Sequence, residues 1–257
     1  MIAWSAHLST LFTELPPLER PAAAAAAGFS LVESWWPPAE DPAAWAQAVR
    51  GAGLRAAAVN ADGGDLAAGE RGYCNDPARR DEVVAAAVAA ARVAVAAGGS
   101  AVNLLVGRVR PGEPWEDQLR AAVEAVRAAA EAVAPMGGRL VIEHLNAVDV
   151  DDPLLWTPAD AARFVELVDH PAVTVLFDAY HAAMAGLDPV TELDAVAGRL
   201  GHVQFADCPG RGAPGTGRLD LARLVARLEE IGYSGAVGLE FLPGGPTADA
   251  LRTLPPR

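Results

Sequence analysis

Apolar runs of five to seven residues recur along the whole chain, separated by alanine- and leucine-rich segments with helical character. Each run has the length and composition of a buried β-strand. Alternation of such strands with helices indicates a series of parallel β-α units. The eight predicted strands are Ile2–His7, Ser30–Ser34, Leu54–Asn60, Ala101–Val106, Arg139–His144, Val173–Asp178, His202–Ala206 and Ala236–Phe241.

Eight β-α units predict an α/β fold, a (β/α)8 TIM barrel that forms a single domain over residues 1–257. A doubly wound open sheet is the alternative, but the first β-α turn carries no G-x-G-x-x-G motif. Capping side chains before prolines predict where four helices begin, and glycines follow four helix ends. These positions are Asp41-Pro42, Asp76-Pro77, Thr157-Pro158 and Asp188-Pro189 for the starts, and Gly28, Gly53, Gly98 and Gly232 for the ends.

Four polar side chains lie at the ends of the last four predicted strands, namely Glu143, Asp178, Gln204 and Glu240. Their spacings of 35, 26 and 36 residues each correspond to about one β-α unit. The carboxyl ends of barrel strands converge, and converging carboxylates repel each other unless a cation joins them. Their oxygen atoms suit Mg²⁺ or Mn²⁺ better than zinc. The pattern predicts an enzyme site with a divalent cation, although each residue alone is as compatible with a structural role.

Further polar residues are predicted near the same end of the barrel. His181 follows Asp178 by three residues and could orient or protonate a substrate oxygen, or could be only a helix-terminal hydrogen-bond partner. Arg211 has forked donors suited to a substrate carboxylate and lies in a long loop, 207–218; a second long loop covers 61–76. The candidate substrate contacts are therefore His181, Arg211, Asn60, Glu70 and His7. The histidines predicted to be structural are His144, His170 and His202.

Composition and charge limit the partners of this site. The chain has a formal net charge of −13, and its 20 basic residues are all arginine. Such a chain is unsuited to nucleic acid or an anionic membrane, and the absence of lysine excludes Schiff-base and P-loop chemistry. Two distant cysteines, no signal peptide and no apolar stretch of transmembrane length predict a reduced, cytoplasmic protein. We expect a small-molecule substrate.

The motifs around these residues resemble those of the hydroxypyruvate isomerase family, within the xylose isomerase-like TIM barrel superfamily. The resemblance extends over almost the whole chain, and the LAAGERG segment is its most specific part. The segments that carry it are FSLVES at 29–34, GDLAAGERG at 64–72, NLLVG at 103–107, VIEHLN at 141–146, FDAYH at 177–181, GHVQFAD at 201–207 and PGTG at 214–217.

The resemblance implies a role for each residue that matches the family pattern. Glu143 and Glu240 match two acid/base glutamates, which with Asp178 and Gln204 also form the cation site. The implied reaction interconverts hydroxypyruvate and tartronate semialdehyde through an enediolate, with one glutamate removing a proton beside the carbonyl group. The residues that match substrate-contacting positions of related epimerases are His181, Asp149 and Arg211.

The substrate stays open, because residues around the site depart from the family pattern. Val59, His144 and Arg218 replace residue types that are usual in the family, and Trp35 and Trp36 are bulkier than the pattern predicts. A sugar epimerase, a 2-oxo-tetronate isomerase and a non-catalytic small-molecule-binding barrel are the alternatives. An enzyme like endonuclease IV would need more histidine ligands and a basic groove. The resemblance is also compatible with a homo-oligomer.

Overall fold

The predicted strands form one closed parallel barrel. The computed structural model describes residues 2–253, and its strands follow chain order around the barrel until β8 pairs with β1. This closure confirms the (β/α)8 barrel and excludes the open sheet; the domain bounds 1–257 extend beyond the described residues and stay a prediction. The strands are β1 Ala3–His7, β2 Leu31–Ser34, β3 Arg55–Asn60, β4 Ala101–Asn103, β5 Arg139–Glu143, β6 Val173–Asp178, β7 Leu200–Phe205 and β8 Ala236–Leu239.

Helices connect the strands and cover the outside of the barrel. Three of the four predicted starts are confirmed, at Pro42, Pro158 and Pro189, whereas Asp76-Pro77 begins a single 3-10 turn that precedes the next helix. The Asp41 carboxylate accepts hydrogen bonds from two amides of the first turn, and Thr157 and Asp160 form a capping box. No helix within residues 2–253 is long and apolar enough to cross a membrane. The helices are α1 Arg20–Ala26, α2 Pro42–Gly51, α3 Arg80–Ala96, α4 Trp115–Val133, α5 Pro158–Val168, α6 Ala179–Met184, α7 Pro189–Val196, α8 Leu221–Glu230 and α9 Thr247–Ala250.

The fourth strand is shorter than its apolar run predicts. β4 ends at Asn103, and the chain then leaves the sheet to contact the loop that follows β3. Gly72 and Val106 form an isolated antiparallel bridge, and the Cys74 amide donates to the Val106 carbonyl at 2.9 Å. Leu105 and Val106 therefore anchor the loop 61–76 instead of extending the barrel.

The barrel interior is apolar on one side and polar on the other. Strands β3 to β6 contribute a small separate cluster made of Ala58, Ala101, Val141 and Leu176. On the other side Glu33 of β2 contacts β7 across the interior, and Gly238 of β8 makes room for it. A Cβ atom at Gly238 would lie 2.1 Å from Glu33 Oε1. The buried polar side chains of this side are Ser5, His7, Glu33, His202 and Gln204.

Candidate active site

The carboxyl ends of the strands surround a cavity of about 320 Å³, a size suited to a small metabolite. This is the end of the barrel at which TIM-barrel enzymes place their active sites. The predicted site residues that line the cavity are Asn60, Glu143, Asp149, His181, Arg211 and Glu240. Three others, His7, Asp178 and Gln204, are buried behind this lining.

Three buried carboxylates meet at the base of the cavity. Glu143, Asp178 and Glu240 have exposed fractions of 6 %, 1 % and 3 %, so water screens their charges poorly. Arg211 balances part of this charge: its Nη2 atom lies 2.9 Å from Glu240 Oε2 and 3.7 Å from Asp178 Oδ2. One guanidinium group therefore faces three carboxylates, which leaves an excess of negative charge if all three ionise.

Glu240 has the surroundings of an ionised carboxylate. Trp35 Nε1 donates a hydrogen bond of 2.6 Å to Glu240 Oε1, and His7 Nε2 lies 3.8 Å from the same oxygen. Burial opposes ionisation, but the charge of Arg211, followed by His7 and Trp35, lowers the pKa of Glu240 below its ordinary value. Trp35, predicted only as a bulky departure from the family pattern, is therefore a polar partner of this glutamate.

Glu143 has the opposite surroundings. Burial, followed by the charges of Glu240 and Asp178, raises the pKa of Glu143 well above its ordinary value, although Asn103 donates a hydrogen bond of 2.6 Å to its Oε2 atom. Two glutamates on one cavity wall thus have pKa values shifted in opposite directions. Such a pair supplies a carboxylate that can accept a proton beside a carboxyl group that can donate one.

His181 has its hydrogen-bonding roles set by the neighbouring loop. The backbone amide of Asn146 donates to its Nδ1 atom at 3.1 Å, so Nδ1 must offer a lone pair. Burial lowers the pKa of His181, which favours the neutral ring with its proton on Nε2. This Nε2 atom lies 3.6 Å from Glu143 Oε1 and 3.8 Å from Asp178 Oδ2. His181 therefore presents a proton donor to the carboxylate cluster.

The chain contains a group of residues with the chemistry of a metal site. Glu143, Asp178 and His181 each offer a ligand atom, and these atoms lie within 4.8 Å of one another. The proton on His181 Nε2 makes this ring a poorer ligand than the carboxylates. Gln204 is a further oxygen donor, because its amide oxygen is buried without a hydrogen-bond partner in the described part of the chain. The donor set fits a cation that prefers oxygen.

A second polar cluster lies inside the barrel next to this site. Gln204 Nε2 donates a hydrogen bond of 2.9 Å to Glu33 Oε2, and His202 Nε2 lies 3.0 Å from Glu33 Oε1. Burial opposes ionisation of Glu33, but His202, His7 and Gln204 together lower its pKa. The prediction that His202 is structural agrees with this pairing. Glu33 was not predicted, although an acidic residue within the apolar run FSLVES was the available signal.

The other predicted substrate contacts fall into different places. Asp149 lines the cavity and accepts hydrogen bonds from the Tyr180 hydroxyl group at 2.8 Å and from Asn146 Nδ2 at 3.0 Å. Glu70 is not part of the cavity lining: its Oε1 atom lies 2.6 Å from Arg79 Nη1, in a partly exposed ion pair. His144, one of the residues that depart from the family pattern, is fully buried, and burial lowers its pKa to about 3.

The closed barrel and its acidic cavity together define a TIM-barrel enzyme. The family model for the xylose isomerase-like TIM barrel matches residues 21–256. The chain is 41 % identical over 265 residues to a Streptomyces coelicolor protein provisionally named hydroxypyruvate isomerase, covering 98 % of this chain and 95 % of that one. It is 32 % identical over 251 residues to the 2-oxo-tetronate isomerase of Pectobacterium atrosepticum, and the match covers 98 % of this chain and 96 % of that one.

A solved structure from Brucella melitensis, described as an AP endonuclease of family 2, superposes with a TM-score of 0.92. It shares 33 % sequence identity, and the match covers 98 % of this chain and 97 % of that one. The chain belongs to the xylose isomerase-like TIM barrel family, and it is an isomerase.

Proposed function

We propose that this isomerase interconverts hydroxypyruvate and tartronate semialdehyde, with Glu143 and Glu240 as its acid/base pair. The observation that carries the proposal is the placement of two buried glutamates with opposite surroundings on the wall of one small cavity. The Escherichia coli relative named hydroxypyruvate isomerase, 33 % identical over 257 residues and matched over 100 % of this chain and 99 % of its own, supports the substrate.

The reaction moves the carbonyl group of a three-carbon acid from C2 to C3. It requires the net transfer of one proton from C3 to C2 and of one hydroxyl proton from O3 to O2. In this proposal Glu240, held ionised by Arg211, removes the C3 proton and produces an enediolate. Glu143, in its protonated form, delivers a proton to C2, and His181 Nε2 exchanges protons with the substrate oxygens. Proton exchange with water returns both glutamates to their starting states.

A divalent cation, Mg²⁺ or Mn²⁺, is part of the proposal. The carboxylates of Glu143, Asp178 and Glu240 carry more charge than Arg211 balances, and the amide oxygen of Gln204 is available as a fourth donor. We propose that these four residues would hold the ion, Glu143 with one carboxyl oxygen while its other oxygen carries the exchangeable proton. When bound, it would supply positive charge to the oxyanion of the substrate.

A 2-oxo-tetronate is the second candidate substrate, because it undergoes the same carbonyl shift with one more carbon. Relatives named 2-oxo-tetronate isomerase match this chain over 98 % of its length, and a cavity of about 320 Å³ is compatible with a four-carbon acid.

The acidic charge of −13 supports a small metabolite and not nucleic acid as the partner. Buried free thiols at Cys74 and Cys208 support a cytoplasmic location. A homo-oligomer stays a prediction.

Proton exchange in D₂O tests the proposed reaction. We expect wild-type protein with Mg²⁺ to form tartronate semialdehyde from hydroxypyruvate and to incorporate deuterium at C3 of the remaining hydroxypyruvate, both followed by NMR. Heat-inactivated protein gives the background of spontaneous enolisation. A wild-type protein that converts a 2-oxo-tetronate but leaves hydroxypyruvate at this background would replace the first substrate with the second. Conversion of neither would refute the proposed reaction.

Direct cation binding gives a separate prediction. Asp178→Asn removes one carboxylate of the proposed set while keeping an oxygen that can cap α6, as Asp178 Oδ1 does at 2.7 Å from the Tyr180 amide. We expect the Kd for Mn²⁺, measured by electron paramagnetic resonance, to rise roughly 10- to 100-fold, since one charged ligand is lost. Asp62→Asn is the control, because Asp62 lines the same cavity outside the set. An equal loss in both variants would place the ion elsewhere.

A further inference from the structure

Two arginines line the cavity, and they differ in their partners. Arg211 already lies within ion-pair distance of Glu240 and Asp178. Arg71 also lines the cavity, but it forms no ion pair with any residue in 2–253. Its hydrogen bonds to the described residues use Nη1 alone, which donates to the carbonyl oxygens of Leu66 at 3.1 Å and Glu70 at 2.6 Å. The charge of Arg71 is therefore not balanced by a carboxylate.

The loop holds the backbone on both sides of Arg71 in a defined place. On one side Glu70 pairs with Arg79, and its Oε2 atom accepts a hydrogen bond of 2.6 Å from the Asp65 amide. On the other side the Gly72 amide donates to the Gly63 carbonyl at 2.8 Å. Gly72 has φ +85°, and a Cβ atom there would lie 1.9 Å from the Leu105 carbonyl oxygen. Both neighbours thus fix Arg71 against the cavity wall.

We propose that Arg71 binds the carboxylate of the substrate and makes the enzyme selective for acids over neutral sugars. This inference rests on the proposed function, in which the substrate is a small oxo acid. A guanidinium group can donate two parallel hydrogen bonds to a carboxylate, and the Nε and Nη2 atoms of Arg71 have no acceptor within residues 2–253. The neighbouring cavity residues Asp62 and Asp149 add negative charge, so an anionic substrate needs such a cation.

The assignment differs from the sequence-based expectation for the substrate carboxylate. Arg211 was predicted for that role because of its forked donors, but it contacts the proposed base Glu240 and the proposed cation ligand Asp178 instead. This assignment explains the residue types of the GERG segment at 69–72. Glu70 holds the loop in place through its ion pair with Arg79, and Gly72 permits the loop backbone to approach Leu105 closely. Arg71, between them, lines the cavity.

Ligand binding tests Arg71 without requiring turnover. D-Glycerate carries the substrate's carboxylate but no carbonyl group to isomerise, and D-glyceramide is a neutral compound of nearly the same shape. We expect wild-type protein to bind glycerate more tightly than glyceramide in titration calorimetry. In Arg71→Gln, which keeps a donor for the loop carbonyls, and in Arg71→Met, the Kd for glycerate should rise roughly 10- to 100-fold, as for loss of a hydrogen-bonded charge. The Kd for glyceramide should change little.

Controls separate this role from a structural one. Arg92→Met removes the same charge from an exposed position on α3 and should leave both Kd values unchanged. Arg71→Lys should recover part of the glycerate affinity, and the KM for hydroxypyruvate should rise more than kcat falls in Arg71→Gln. Equal losses for glycerate and glyceramide, unchanged glycerate binding in both Arg71 variants, or no glycerate binding by the wild type would overturn the proposal. If glycerate binding depends on Arg71 but hydroxypyruvate is not converted, the carboxylate-binding role of Arg71 stands and only the proposed reaction is refuted.

Discussion

Replacement of either buried glutamate by glutamine should lower kcat for hydroxypyruvate by roughly 10²- to 10⁴-fold, the usual contribution of a positioned acid or base. Glu143→Gln and Glu240→Gln keep the size of the side chain and its ability to accept hydrogen bonds from Asn103 and Trp35. Each substitution removes the ability to exchange a proton, and Glu240→Gln also removes the negative charge that Arg211 balances. Steady-state rates with saturating Mg²⁺ measure the effect.

The two variants should differ in the step that they block. Glu240→Gln is expected to abolish both product formation and deuterium uptake at C3, because the proposed base is absent. Glu143→Gln should still take up deuterium at C3 while it forms little tartronate semialdehyde, because the proton can leave but is not delivered to C2. If Glu143→Gln abolishes deuterium uptake and Glu240→Gln retains it, Glu143 is the base and Glu240 the acid. Glu124→Gln, at an exposed position on α4, should keep wild-type activity.

His202→Leu should lower the free energy of unfolding by roughly 3–5 kcal/mol, the usual cost of leaving a buried charge without its polar partner. Glu33 is 1 % exposed, and His202 Nε2 lies 3.0 Å from its Oε1 atom. Leucine fills a similar volume but has no polar group, so the Glu33 carboxylate keeps only its hydrogen bond from the Gln204 amide. Urea denaturation at pH 7, followed by circular dichroism, measures the change.

A second substitution identifies the cause of that loss. In Glu33→Gln/His202→Leu the buried charge is gone, so we expect the double variant to regain part of the stability. His170→Leu is the matched control: His170 accepts one hydrogen bond, from the Ala172 amide, and its loss should cost about 1 kcal/mol. If His202→Leu stays within about 1 kcal/mol of the wild type, the Glu33–His202 contact does not stabilise the barrel in the way proposed.

Local sequence was sufficient for the strands and for most helix starts. Buried strands of a parallel barrel are continuous apolar runs, so seven of the eight have nearly the predicted bounds. β4 is the exception: Leu104, Leu105 and Val106 continue the run, but Leu105 and Val106 contact the loop 61–76. An apolar run shows that residues are buried and does not show which surface buries them.

The same distinction applies to the candidate site. Polar residues at strand ends can be recognised from sequence, because the barrel brings all strand ends to one face; Glu143, Asp178, Gln204 and Glu240 are of this kind. Partners that come from distant parts of the chain are not recognisable in this way. They include Trp35 with Glu240, Asn103 with Glu143 and Glu33 with His202, which are separated by 205, 40 and 169 residues.

The sequence by itself determined the barrel, the family and the acidic character of the site, since each depends on periodicity, motif or residue type. The tertiary structure alone decided which carboxylate faces a cation and which faces other carboxylates. It also decided that Glu70 pairs with Arg79 while Arg71 lines the cavity. The physical reason is that pKa values and ion pairs depend on distances of a few ångströms between side chains, and only the closed barrel sets those distances.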